Sequence, residues 1–149
     1  MDAFVEPKKK VLVVDDDADQ VKILEHLLAN EGYHVLSAYN GVSALSLVHS
    51  EKPDVVILDI MMPGMNGYEV CERIKQHEES KHTAVIFLTA KDLSKDFETA
   101  LNQNADWYVL KPYDPASLLQ KVKLSINRKS AVKKISIKPT PPADQSTEQ

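Results

Sequence analysis

A doubly wound α/β domain, with helices on both faces of a five-stranded parallel sheet, is what the order of segments along this 149-residue chain predicts. Two observations carry that expectation. Short apolar, β-branched runs alternate with segments of helical periodicity, and each right-handed crossover between parallel strands needs such a helix. Four of the runs also end in residues of chemical use: VLVV enters Asp15, Asp16 and Asp17, VVIL enters Asp59, VIFL enters Thr89, and YVL enters Lys111. Side chains at the ends of separate strands converge only when the strands run parallel, because all carboxyl ends then share one edge.

Residues 10–15 read as the first buried strand, continuous and β-branched. The helix after it places Val21, Leu24 and Leu28, with Ile23 and Leu27, at helical spacing, and Gly32 supplies a left-handed stop. Residues 34–39 alternate as a second strand, and Asn40 can cap a helix carrying Ala44, Leu45 and Val48 before Pro53 resets the chain. Residues 54–59 form the third strand. In the MMPGMNG loop that follows, Pro63, Gly64 and Gly67 oppose an immediate helix, and Val70 and Ile74 mark the helix beyond. Residues 84–89 are strand four, followed by a weaker helical pattern with Phe97, Ala100 and Leu101 on one face and Asn104 as a left-handed ending. Strand five spans residues 107–110. Asp114 and Pro115 then make a cap and first turn for a last helix with Leu118, Val122 and Ile126 at four-residue steps.

The length fits one domain of the usual ~100–200 residues, and 43% hydrophobic content fills one core. Residues 1–9 read as a leader, 10–128 as the domain, and 129–149, with three prolines and a polar end, as a flexible tail or linker stub that folding does not require. A net charge of -4 argues against nucleic acid as the main partner. The five histidines show no ligand spacing, and the lone Cys71 reads as a buried packing residue in a reducing compartment. Only four apolar residues separate the N-terminal lysines from the aspartates, too few for a signal-peptide core or a membrane span, so a cytoplasmic protein is expected.

Asp15 and Asp16 beside Asp59 would bring three carboxylates within a few Å, which is repulsive unless a hard cation sits among them. Mg²⁺ is the natural candidate, since it combines one or two carboxylates with waters and phosphate oxygens. The rival reading of the DDD run is a helix N-cap with acids matched to the helix dipole. Asp59 caps nothing obvious and ends a second buried strand, so capping leaves it unexplained. A carboxylate at such a metal can attack phosphorus and form an acyl phosphate, and Asp59 is the candidate nucleophile. Lys111 supplies a mobile positive charge and Thr89 a hydroxyl donor for the oxygens of the transferred group.

VLVVDDD, VVILDIMMPGMNGYEV, VIFLTAK and ADWYVLKPY together resemble the response-regulator receiver domain of two-component signalling, the chemotaxis CheY type, over about residues 10–128. The resemblance implies a flavodoxin-like strand order 2-1-3-4-5 with its switch point between strands 1 and 3. It implies Asp59 as the phosphoacceptor, Asp16 as a direct Mg²⁺ ligand, Asp15 as a ligand through water and the Met61 backbone carbonyl as a further ligand. Thr89 and Lys111 would contact the phosphoryl group, Thr89 and Tyr108 would form the switch, and Lys111–Pro112 would be a cis peptide bond. The implied partners are a sensor histidine kinase or phosphotransfer protein, and a downstream target or output domain bound through the face of helix 4, strand 5 and helix 5. A phosphorylation-dependent homodimer is a further option, with no direct nucleic-acid or membrane contact. The chain departs from the family with Asn104 in place of the common Gly and with Ile60 where some members carry Trp; Met61 and Lys91 stand where members differ in access of the attacking water.

Two other readings stay open. A haloacid-dehalogenase-like phosphatase also uses a strand-end Asp, a hydroxyl, a Lys and Mg²⁺, but needs a further acidic pair after Lys111, where only Asp114 follows nearby. A receiver excised from a larger multidomain regulator would carry the same residues, its tail being the linker.

Overall fold

Residues 6–90 and 105–135, with side chains as far as Arg128, are described by the computed structural model. Lys10–Val14 form β1, Ala18–Asn30 α1, His34–Ala38 β2, Gly41–Glu51 α2, Val55–Leu58 β3, Gly67–Gln76 α3, Ala84–Thr89 β4, Trp107–Leu110 β5 and Pro115–Ile135 α4. The five strands form one sheet in the order β2-β1-β3-β4-β5, and every pairing is parallel. The predicted helix carrying Phe97, Ala100 and Leu101 lies outside the described residues, as do Lys91 and Asn104.

Every central strand is buried on both faces, and this explains why the sequence shows continuous apolar runs rather than alternation. Leu12, Val14, Val56, Leu58, Val85 and Phe87 pack on one side with Ala44 and Val48 of α2 and Val70, Cys71 and Ile74 of α3. Val11, Val13, Val55, Ile57, Ile86 and Leu88 pack on the other with Val21, Leu24 and Leu28 of α1 and Leu118, Val122 and Ile126 of α4. Each Val, Leu, Ile or Phe among them contributes about 1.5–3 kcal/mol by leaving water. Ile23, which shares the helical spacing of α1, is 54% exposed. It falls between the Val21–Leu24–Leu28 rows, where the helix turns to solvent.

The ends of the helices follow local chemistry. The Asp17 side chain accepts from the Asp19 and Gln20 N–H groups at the start of α1, Asn40 accepts from Ser43 N at 2.9 Å, and Asp114 accepts from Ser117 N at 3.1 Å ahead of Pro115. Gly32 ends α1 at φ +94°, the left-handed geometry expected of it. Two boundaries differ from expectation. Gly67 belongs to the first turn of α3, because Asn66 and Glu69 form a capping box across it. The last helix runs to Ile135, past the expected end near Arg128, since the chain carries neither Gly nor Pro between Arg128 and Pro139. No helix among the described residues is long and apolar enough to cross a membrane.

Cys71 is fully buried, and burial, opposed by Lys75 and assisted by Asp106 and Glu72, pushes its thiol up to about 12. Between its ordinary 9.0 and that raised value, the folded chain holds a proton that the unfolded chain releases, so stability declines as pH climbs through this window. Iodoacetamide should accordingly leave the native protein unmodified at pH 8 and label Cys71 in denaturant. Rapid native labelling would show an opening of the α3 face.

Candidate functional site

The sheet's ladder continues one residue beyond two of its strands, and this fixes the site. The Asp59 N–H donates to the Val14 carbonyl at 3.0 Å, and the Asp15 N–H to the Ala38 carbonyl at 3.2 Å. Both carboxylates therefore leave backbone that is tied to the neighbouring strand. From β1 the chain passes to α1 on one face of the sheet, and from β3 to α3 on the other, so the two connections part and leave a crevice at the carboxyl edge.

Asp15, Asp16 and Asp59 meet there, each offering an oxygen within 4.8 Å of the other two. Asp15 and Asp59 are buried and Asp16 is exposed. Asp15 Oδ1 accepts from the Asp17 N–H at 3.0 Å, and Asp59 Oδ1 from the Met61 N–H at 3.1 Å. The DDD run is thus divided: Asp17 is the cap, while Asp15 and Asp16 serve the crevice.

Lys111 reaches in from the end of β5. Its Nζ donates to Asp15 Oδ2 at 2.9 Å and stands 3.6 Å from Asp59 Oδ2. Burial pulls the ammonium down, but the Asp15 hydrogen bond and the Asp59 and Asp15 charges outweigh it, and the net shift is upward. Its charge is complete below the ordinary 10.5 and is lost only as pH rises through the higher folded value. The Lys111 N–H donates to the Thr89 carbonyl at 2.9 Å, tying the ends of β4 and β5 together, and the Lys111–Pro112 bond is cis, as the family resemblance implies.

The donor set suits a hard divalent cation. An octahedral Mg²⁺ at ~2.1 Å from its ligands keeps them about 3 Å apart when adjacent and about 4 Å when opposite, close to the spread of these oxygens, and one water-bridged ligand relaxes the requirement. Three carboxylates sharing one lysine also retain net negative charge, which a cation would offset.

Thr89 is wholly buried at the end of β4, beside β3. Tyr108 pairs with Phe87 across β4 and β5, its ring lies 5.4 Å from that of Phe87, and its hydroxyl meets the Tyr68 hydroxyl at 3.0 Å. Met61 places its N–H on Asp59, a contact additional to the carbonyl role expected of it. Two residues of the site carry little sequence signal. Tyr68 was visible only as the aromatic inside the NGYE capping box, and Gly67 read as a helix opponent, although its backbone lies against Asp59. An added Cβ there would stand 2.4 Å from the Asp59 carbonyl oxygen.

Comparison with known proteins gives a consistent result. The family model described as the response regulator receiver domain matches residues 11–123. A Guillardia theta protein named "Probable transcriptional regulator ycf27" is 44% identical over 128 residues, which are 86% of this chain and 49% of that protein; the chain thus spans about half the length of this curated relative. A response regulator receiver domain protein of Clostridium thermocellum superposes with a TM-score of 0.77 at 30% identity, covering 83% of this chain and 98% of that one. The CheY-like receiver domain protein of Methanospirillum hungatei JF-1 gives 0.79 at 28% identity, covering 84% and 98%.

Proposed function

Since the chain belongs to the response regulator receiver domain family, we propose that Asp59 accepts a phosphoryl group from the phosphohistidine of a sensor kinase or phosphotransfer protein, and that the resulting charge switches a protein-binding face. The observation that carries the reading is the convergence of Asp15, Asp16, Asp59 and Lys111 on one crevice from separate strand ends.

In the transfer, an oxygen of Asp59 forms a bond to phosphorus as the phosphorus–nitrogen bond to the donor imidazole breaks, and the imidazole leaves with that electron pair and takes up a proton. Asp16 would hold Mg²⁺ directly, Asp15 through water, and the Met61 carbonyl would add a ligand. When bound, the ion neutralises phosphoryl oxygens. Lys111 is already charged and close to Asp59, so it meets the incoming oxygens with little reorganisation. Thr89 supplies a hydroxyl from the end of the neighbouring strand, and its movement toward the phosphoryl group vacates space into which Tyr108 turns. The partner face would then include β5 and α4, in a cytoplasmic protein.

Incubation with Mg²⁺ and a small acyl phosphate should add one acid-stable, base-labile phosphoryl group by intact mass, and a chelator should prevent it. Labelling that ignores the chelator would count against the metal site. Thr89→Ala should still accept phosphate, about ten-fold more slowly for one lost hydrogen bond. In that variant, beryllofluoride with Mg²⁺ should no longer move amide shifts across Trp107–Leu118, and wild-type-sized shifts there would remove Thr89 from the coupling.

A second reading is favoured by one comparison. The Guillardia theta protein is about twice the length of the matched region and is named as a transcriptional regulator. This supports a receiver that governs an attached output domain rather than a separate target.

A further inference from the structure

Tyr68 is the first side chain after Gly67, whose N–H donates to the Ile60 carbonyl at 2.9 Å and whose Cα lies against the Asp59 backbone. Its ring meets Phe87 edge-on, with centroids 5.5 Å apart and an interplanar angle of 80°. Phe87 in turn packs on Tyr108, and the two tyrosine hydroxyls close the triangle at 3.0 Å. Phe87 and Thr89, two residues apart on β4, face the same side of the sheet. The aromatic triangle therefore shares a sheet face with Thr89 and begins one residue beyond the close approach of Gly67 to Asp59.

Ring packing explains the rings but not the hydroxyls. A phenylalanine at 68 would bury the same edge against Phe87, whereas a half-buried phenolic O–H needs a partner and here finds Tyr108. We infer that Tyr68 is a positioning residue of the phosphoryl switch, its hydroxyl holding Tyr108 where it packs on Phe87, so that the turn of Tyr108 on activation must break the hydrogen bond between them. This rests on the reading of Asp59 as phosphoacceptor and Tyr108 as switch aromatic. Losing the bond raises the resting state alone, enlarges the binding-competent fraction and tightens apparent affinity by the same factor.

The full chain and its Tyr68→Phe, Tyr108→Phe and double variants can be titrated with beryllofluoride plus Mg²⁺. Binding is read from Trp107 fluorescence and from amide shifts across Trp107–Leu118. Tyr68→Phe should bind about two- to ten-fold more tightly, the span of one net hydrogen bond, and the double variant no more tightly than either single one. Unchanged or weaker affinity in Tyr68→Phe, or additive effects in the double variant, would overturn the inference; so would a lowered melting temperature with no change in affinity, the mark of packing alone. Failure of the unaltered chain to bind the probe would overturn the reading of Asp59 and this inference with it. Binding by the unaltered chain without a gain in Tyr68→Phe would overturn the inference only.

Discussion

Asp59→Asn should yield a folded domain that takes up no phosphate from Mg²⁺ and an acyl phosphate, and that melts no lower than the unaltered protein. The amide preserves the shape of the side chain and can still accept from the Met61 N–H, now at 3.1 Å from Oδ1, so the loop after β3 keeps its anchor. What disappears is the nucleophile and one of three clustered negative charges. Two unit charges ~4 Å apart at an effective dielectric of about 20 repel by about 4 kcal/mol, and Lys111 can neutralise only part of a three-carboxylate set. Its shorter contact, 2.9 Å to Asp15, survives the substitution, while the 3.6 Å contact to Asp59 does not. Relief of repulsion should therefore match or exceed the lost attraction. Differential scanning calorimetry without divalent metal should show an equal or higher midpoint, and Mg²⁺ should raise it less than in the unaltered chain. A phosphoryl group retained on another residue would remove Asp59 from its assigned role, and a collapsed melting transition would mean that its charge is structural.

Much of this was legible because the sheet is parallel and buried. A strand covered on both faces must be a continuous apolar run, so the runs ending at Asp15, Asp59 and Thr89 marked their own ends and thereby the edge where their side chains meet, to which the half-exposed edge strand β5 adds Lys111. Three-dimensional neighbours from a single strand–helix junction were harder to read. Asp16 and Asp17 are adjacent in sequence, and only the direction taken by the chain after β1 sends one to the crevice and the other to the helix cap. The hydroxyl pair of Tyr68 and Tyr108 spans forty residues and leaves no periodic trace, since each tyrosine also satisfies its local pattern. Ile23 fits a helical repeat and is nevertheless exposed, because spacing alone does not say which of two overlapping rows faces the sheet. The final helix outran its apolar face, because a helix needs only the absence of breakers to continue once nucleated.

Gly67→Ala should damage the fold and the site together, against the intrinsic preference of a helix for alanine. Gly67 sits in the first turn of α3, where that preference would favour alanine by about 1 kcal/mol if space allowed. Space does not allow it. The new Cβ would stand 2.4 Å from the Asp59 carbonyl oxygen, 2.6 Å from Ile60 Cα and 3.0 Å from the Asp59 carbonyl carbon, and all three are backbone atoms that no rotamer change can move. Reaching ordinary contact at 3.4 Å requires α3 and the β3 end to separate by 1.0 Å, the difference between 3.4 and 2.4. Overpacking of this kind costs about 1–3 kcal/mol, and a shift of about 1 Å in a reacting group can slow chemistry about a hundred-fold. The melting temperature should fall by several degrees and the rate of phosphate uptake by about two orders of magnitude. Gly32→Ala separates the two effects. Gly32 has φ +94° with nothing within 4 Å of an added Cβ, so alanine there strains the backbone at the far end of α1 and lowers stability without approaching Asp59. Comparable destabilisation by both variants, with slow uptake confined to Gly67→Ala, would identify the close approach of α3 to Asp59 as the device that holds the acceptor in place. Uptake at the unaltered rate in Gly67→Ala would show that Asp59 tolerates the displacement.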